Sequence, residues 1–150
     1  MGRKSRGTLG GIVLGGIVAA TIDIGAACLI TGRSVTFILH TIAGGLLAKA
    51  AYAGGIRTAL LGLALQGLMG VIIAAVYAVG ARMMPVLGRR WITGGLAYGV
   101  IIFFVMNYVV VPLSAWKHWP HFTPSKFLAN LAAMLLFGLI VAYFVRRSSR

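Results

Sequence analysis

Long apolar stretches alternate with short basic segments along this chain of 150 residues. Four of the stretches have the length of a membrane-crossing helix, which needs about 20 residues for a hydrocarbon core of about 30 Å. They cover residues 9–30, 58–81, 92–115 and 127–145. This pattern predicts four transmembrane helices and an all-α fold.

A fifth apolar stretch, residues 35–48, has only 14 residues between Arg33 and Lys49. Its aliphatic residues recur with helical spacing, at Val35, Ile38, Leu39, Ile42 and Leu46. Because 14 residues are short for a crossing, we predict an interfacial or re-entrant helix on the outer side.

The distribution of lysine and arginine favours four crossings over five. With four, nine basic residues lie on the side of the two termini and five lie on the other side. If residues 35–48 also crossed, the same residues would divide seven and seven. Basic residues concentrate on the cytoplasmic side of membrane proteins, so we predict an integral membrane four-helix bundle with cytoplasmic N- and C-termini.

The composition excludes an ordinary soluble domain. Charged residues make up 10% of the chain and hydrophobic residues 60%, whereas a soluble domain has about 25% charged residues. The basic residues lie at the ends of apolar stretches and do not alternate with aromatic residues, so a nucleic-acid partner is not expected. The expected partners are the lipid bilayer and a second copy or another membrane protein.

The N-terminal stretch also imitates a secretory signal that ends near Cys28. Its apolar run is about 20 residues, longer than the 7 to 15 of a typical signal, and Asp23 interrupts it. We therefore expect the first helix to be retained.

Polar residues inside the predicted helices are the first candidates for function. Asp23 is the only acidic residue of the chain. At about 1.5 Å per residue, Asp23, Gln66, Asn107 and Asn130 fall in one layer, roughly 5 to 9 Å to the outer side of the membrane centre. Two interpretations stay open: an interhelical hydrogen-bond cluster, or the lining of a cavity open to the outside. In either case we expect the Asp23 carboxyl to be protonated, or hydrogen-bonded to Gln66 or Asn107.

The three histidines all fall on the predicted outer side. His40, His118 and His121 could form an outer metal or pH-sensing site with Asp23. Their spacing is unspecific, and the neighbouring Lys117 and Lys126 would repel a cation. We therefore expect an ordinary interfacial loop, with no metal and no other cofactor.

Few residues are suited to catalysis. A single acid excludes paired carboxylates, and the sequence has no phosphate-binding loop, zinc-protease motif or nucleophile elbow. Ser34, His40 and Asp23 are the residue types of a hydrolase triad, but no motif surrounds them. We expect no enzymatic activity.

Pro112 predicts an irregular turn at the end of the third span. Proline has no N–H to bond the carbonyl of Tyr108, so the helix is expected to kink or unwind there. Asn107 or Ser114 could then bond to that carbonyl.

Two pairs of glycines have the GxxxG spacing that permits close approach of helices, Gly11 with Gly15 and Gly95 with Gly99. We interpret both pairs as packing within one bundle and not as a dimer face.

Three segments carry a resemblance: residues 106–114 (MNYVVVPLS), 20–24 (ATIDI) and 61–66 (LGLALQ). Together they resemble a group of small, uncharacterised bacterial inner-membrane proteins. More distantly, the Pro-Leu after the third span, the short outer loop and the last helix resemble YagU-like inner-membrane proteins, a group implicated in acid resistance. YagU-like chains carry acids in this loop, where the present chain has lysines and histidines, so no function is carried over. The resemblance implies placement in the bacterial inner membrane and draws attention to Asp23, Gln66, Asn107, Pro112 and Ser114.

These observations lead to two hypotheses for function. The first is a small non-enzymatic membrane module that associates with itself, with lipid or with another membrane protein. The alternative is a carrier or channel for protons or a small solute, centred on Asp23. A packed polar layer favours the module, and a hydrated path through the layer favours transport.

Overall fold

A computed structural model describes residues 2–150 apart from the side chains of residues 3–5, so two residues of the charge count, Arg3 and Lys4, have side chains outside the described part. The helices are α1 (Gly2–Thr31), α2 (Val35–Leu47), α3 (Gly55–Met83), α4 (Pro85–Arg89), α5 (Trp91–Val105), α6 (Val111–Leu113) and α7 (Pro124–Ser148). A 3₁₀ helix, Ala48–Ala53, follows α2, and a π-helical turn, Met106–Val110, joins α5 to α6. No strand occurs within residues 2–150, so the predicted all-α class is confirmed.

Five helical segments are long and apolar enough to cross a membrane. Four of them correspond to the predicted spans: Arg6–Thr31, Gly55–Met83, Trp91–Leu113 and Pro124–Ser148. The fifth, Val35–Ala53, is longer than the predicted stretch 35–48, because the 3₁₀ helix lengthens this segment to 19 residues. Lys49 had marked the end of the apolar stretch, but the helical backbone continues past it. Length therefore does not separate four crossings from five.

The register between α1 and α3 shows that these helices are antiparallel. Asp23, late in α1, contacts Gln66, whereas Gly16, earlier in α1, lies against Gly70, later in α3. The end of α1 and the beginning of α3 therefore lie at the same end of the bundle. The segment between them, α2 with the 3₁₀ helix, begins and ends there too.

Helix α2 is inserted between α3 and the end of the third span. The carbonyl of Leu39 lies against Gly62, where a methyl group would overlap it. On its other side, the indole of Trp116 covers Gly44 and donates a hydrogen bond from Nε1 to the carbonyl of Thr41 at 3.0 Å. Gly62 lies seven residues into α3, a depth of about 10 Å, so α2 enters the bundle and does not rest on its surface.

The closest helix contacts are made at glycines. Gly11 and Gly15 face Phe144 and Ser148 of α7, and Gly99 faces the backbone of Met134 on the same helix. The second predicted pair, which includes Gly95, also packs on α7, around Gly138. Both GxxxG pairs therefore serve contacts within the chain, where van der Waals packing replaces the missing hydrophobic drive.

Aromatic side chains fill the wider space between α3 and α5. The rings of Tyr77 and Tyr98 lie 5.1 Å apart, and the hydroxyl of Tyr98 donates to the carbonyl of Ile73 at 2.7 Å. Val141 of α7 is fully buried in the same cluster, and Phe103 is fully buried against the ring of Phe127. The core thus lies along α7, where α1, α3 and α5 contribute side chains to it.

Candidate functional site

The only carboxyl side chain of the protein is paired with an amide from another helix. Gln66 Nε2 donates a hydrogen bond to Asp23 Oδ2 at 2.9 Å and approaches the carbonyl of Ala20 at 3.4 Å. Asp23 and Gln66 are both partly buried. Gln66 is one of the two hydrogen-bond partners predicted for Asp23 from the sequence.

Small residues on both helices bring the pair within reach. A methyl group at Gly70 would overlap the carbonyl of Gly16 and meet the side chain of Ala20 at 3.0 Å. Asp23 follows Ala20 by three residues, and Gln66 precedes Gly70 by four, so each polar residue lies one helical turn from the close contact. The close spacing of α1 and α3 at these glycines therefore brings the Gln66 amide within hydrogen-bonding distance of the Asp23 carboxyl.

The two asparagines of the expected polar layer do not join the pair. Asn107 Nδ2 donates to the carbonyl of Phe103 at 2.8 Å, and Asn130 Nδ2 donates to the carbonyl of Lys126 at 2.9 Å. Each amide is bonded within its own helical segment. Counting residues gave a common depth but not the direction in which each side chain projects, so among the described residues the layer reduces to Asp23 and Gln66.

The hydrogen bond between Asp23 and Gln66 belongs to an interior whose described buried polar side-chain atoms are all paired. Across the described side chains, every buried nitrogen or oxygen has a hydrogen-bond partner. A buried polar group without a partner costs about 1–3 kcal/mol, so the hydrogen bond between Asp23 and Gln66 favours this register of α1 against α3.

The three histidines predicted for the outer side each have a different local partner. His40 Nε2 lies 2.8 Å from the carbonyl oxygen of Gly55, and His121 Nδ1 lies 2.9 Å from that of Trp119. The ring of His118 is near the indole of Trp116, at 6.2 Å between centroids. Within residues 2–150, no three histidine, cysteine or acidic side chains are grouped as metal ligands.

Ser34, His40 and Asp23, which are the residue types of a hydrolase triad, each contact residues outside this set. Ser34 caps α2, where its hydroxyl accepts a hydrogen bond from the backbone N–H of Phe37 at 3.3 Å. His40 contacts Gly55, and Asp23 contacts Gln66. The described contacts therefore do not join serine, histidine and aspartate into the chain of hydrogen bonds that nucleophilic catalysis requires.

The irregular turn predicted from Pro112 takes the form of a π-helical turn. The N–H of Val111 bonds to the carbonyl of Met106, five residues back, and Ser114 Oγ donates to the carbonyl of Val111 at 2.7 Å. The side chains of Asn107 and Ser114 thus bond to carbonyls other than that of Tyr108. The extra residue in this turn sets the direction in which the chain reaches Trp116 and α2.

Replacing Pro112 with alanine should disturb the contact between Trp116 and α2 while leaving membrane insertion intact. Alanine restores a backbone N–H, which favours regular α-helical bonding and turns the following residues about the helix axis. In a Trp91→Phe/Trp119→Phe background, the fluorescence maximum of Trp116 should shift to longer wavelength. Pro124→Ala, at the first residue of α7, is the matched control and should leave the emission unchanged. Identical spectra for Pro112→Ala and the parent would contradict this role for the π turn.

The junction between Trp116 and α2 was missed by sequence reasoning. Tryptophans at span ends are typical of the membrane interface, and Trp116 has that position in the sequence. Its indole instead covers Gly44 and bonds to Thr41. The only signal in the sequence was the glycine pair Gly44-Gly45, which permits such a close contact.

Comparisons of the chain with protein-family models, with curated proteins and with solved structures found no match. The resemblance to bacterial inner-membrane proteins, the YagU-like group included, therefore stays a prediction from the quoted segments.

Proposed function

We propose that this protein is a small, non-enzymatic, four-span module of the bacterial inner membrane, with both termini in the cytoplasm. It acts by association within the membrane, with lipid, with itself or with another membrane protein. The observation that carries the proposal is the direct hydrogen bond between Asp23 and Gln66, because it gives the single carboxyl side chain a structural partner.

The register of the helices supports four crossings. Since α1 and α3 are antiparallel, the segment between them returns to the side from which it started. A crossing by Val35–Ala53 would place the beginning of α3 on the opposite side and make α1 and α3 parallel. The division of basic residues, nine against five, independently supports the same count.

The surroundings of Asp23 support a structural role for its carboxyl. The contact at Gly16, Ala20 and Gly70 leaves no room for an added methyl group beside the pair. A hydrogen bond between membrane helices contributes about 0.6 kcal/mol on average, a roughly threefold preference for the register that forms it. The hydrogen bond then adds to the close packing at Gly16 and Gly70, which sets the position of α1 against α3.

Cysteine labelling in intact cells tests the topology, in a Cys28→Ala background. Cysteines at Thr36 and Ala53, exposed residues near the two ends of the α2 segment, should both react with an impermeant maleimide. A cysteine at the exposed Ser149 should react only after the cells are permeabilised. Ser148 is unsuitable for this purpose because it packs against Gly11.

The labelling separates the possible topologies. If Thr36 and Ala53 labelled from opposite sides, α2 would cross the membrane and the four-span proposal would fail. If Ser149 labelled in intact cells, the orientation would be reversed.

Proton or solute transport centred on Asp23 is the second candidate. The observation in its favour is that the only acidic side chain lies inside a span and keeps partial exposure, and intramembrane acids commonly belong to ion pathways. Under the leading proposal, liposomes containing the protein show no flux above that of empty liposomes. A flux that depends on the Asp23 carboxyl would establish the carrier instead.

A further inference from the structure

A cavity that combines polar and apolar side chains lies at the end of the bundle opposite to α2. Its volume is about 80 Å³, and it lies, partly open, where α1, α3, α4 and α7 meet. The polar side chains that line it are Thr8, Tyr77, Arg82, Arg146 and Ser149. A single water occupies about 30 Å³ in the liquid, so the cavity has room for a larger polar group.

Two arginines from different helices share this cavity, and the chain has no acidic side chain near them. Asp23 is the only acidic side chain of the protein, and it lies 15 residues from Thr8, about 22 Å along α1. No carboxylate side chain can therefore neutralise Arg82 and Arg146. Two cationic side chains that line one cavity, with no carboxylate side chain nearby, favour an anion from outside the chain as their partner.

Neighbouring residues hold the walls of this cavity in place. The guanidinium of Arg146 lies over the ring of Trp91, at 5.7 Å from its centroid. The hydroxyl of Tyr77 points to the carbonyl of Leu87 at 3.4 Å and thus ties α4 to α3. Arg146 is therefore partly oriented, whereas Arg82 is exposed at the rim.

An apolar groove continues from the same arginine along the outside of the bundle. A second cavity, of about 220 Å³, shares Thr8, Ala78 and Arg82 with the first and runs between α1 and α3. Its remaining walls are apolar, formed by Leu9, Ile12, Ala75 and Val79. Ala75 lies seven residues before Arg82, so the groove extends about 10 Å toward the membrane centre. Leu9 is 59% exposed and Val79 56%, so the groove opens toward the hydrocarbon.

We infer that these two cavities form a binding site for an anionic phospholipid, with its phosphate at Arg82 and Arg146 and an acyl chain in the groove between α1 and α3. Arginine binds phosphate oxygens through two parallel hydrogen bonds, and basic pockets between membrane helices hold anionic head groups. A free phosphate would satisfy the arginines but leave the apolar groove unused. The inference rests on the proposed membrane module and names one of its partners, but it uses none of the residues around Asp23.

Thermal unfolding of the purified protein in detergent, with added lipid, tests the site. Phosphatidylglycerol should raise the unfolding temperature more than phosphatidylcholine with the same acyl chains. Inorganic phosphate at equal concentration should have little effect. The concentration of phosphatidylglycerol that gives half of the shift measures the apparent affinity.

Variants connect the lipid effect to the two cavities. Arg82→Gln and Arg146→Gln should each weaken the apparent affinity for phosphatidylglycerol about fivefold, and the double variant about 25-fold. Arg147→Gln is the matched control, since it removes the same charge one residue away, where the side chain bonds to Tyr143 and does not line the cavity. Ala75→Phe, which fills the groove, should also weaken the affinity, whereas Ala97→Phe on the exposed face of α5 should not.

Several outcomes would overturn the inference. One is that phosphatidylglycerol raises the unfolding temperature of the double arginine variant as much as that of the parent. Another is that phosphatidylglycerol and phosphatidylcholine raise the unfolding temperature of the parent equally. A shift produced by inorganic phosphate alone would assign the arginines to a soluble anion. In each of these cases the cysteine labelling and the flux measurements still decide the module proposal separately. If Ala75→Phe does not fold, the arginine variants and their control are sufficient.

Discussion

Replacing Gly70 with valine should separate α1 from α3 and lower the free energy of unfolding by about 3 kcal/mol, the upper end of the range for overpacked cores. The added side chain would meet the carbonyl of Gly16, which is backbone and cannot move without the helix. Because Gln66 lies one turn away, its hydrogen bond to Asp23 should be lost with the contact. Denaturant or thermal unfolding in detergent measures the loss.

Gly67→Val is the matched control for this change. Gly67 lies on the same helix, three residues before Gly70, and a methyl group there would meet nothing within 4 Å. Both variants replace a glycine inside α3 with valine, so the intrinsic change in helix propensity is the same. The difference in stability between them therefore measures the contact with α1. If the two variants were equally stable, close packing at Gly16 and Gly70 would not hold these helices together.

Replacing Asp23 with leucine should destabilise the bundle by about 1–2 kcal/mol, whereas Asp23→Asn should lie within about 0.5 kcal/mol of the parent. Leucine leaves the Gln66 amide without its carboxyl partner in a partly buried contact, and asparagine keeps an oxygen that can accept the same hydrogen bond. Folded yield and unfolding temperature in detergent measure the two effects. Gln66→Leu should resemble Asp23→Leu, since it breaks the same bond from the other side.

The same variants separate the module from the carrier. Under the proposed function, the parent, Asp23→Asn and Asp23→Leu all give the flux of empty liposomes. Under the alternative, the parent conducts and both variants do not, because neither side chain can exchange a proton. An Asp23→Leu protein as stable as the parent and without any change in flux would remove Asp23 from both accounts.

The membrane helices could be predicted from the sequence because their cause is local. A segment that buries its backbone in hydrocarbon must be helical and apolar for about 20 residues, and both properties can be read from residues 9–30 or 127–145 alone. The preference of basic residues for one side is equally local, since it depends on the loop that each charge occupies. Composition and periodicity therefore determined the all-α membrane class and the extent of four helices.

The polar partners could be predicted only in part. Counting residues along the predicted spans placed Asp23, Gln66 and Asn107 at one expected level. The choice between them depends on which helix lies beside α1, and the tertiary structure places Gln66 there through Gly16 and Gly70. Asn107 belongs to the π turn and bonds to its own segment, which its position along the chain did not indicate.

The sequence by itself determined where the chain can enter a membrane, because hydrophobicity and charge act residue by residue. Only the tertiary structure decided what each helix touches. It placed α2 against Gly62 and Trp116, joined Asp23 to Gln66, and brought Arg82 and Arg146 to one cavity although 64 positions separate them in the chain. The physical reason is that contacts between apolar helices depend on shape, on which glycine meets which backbone, and a hydropathy pattern contains no information about such pairs.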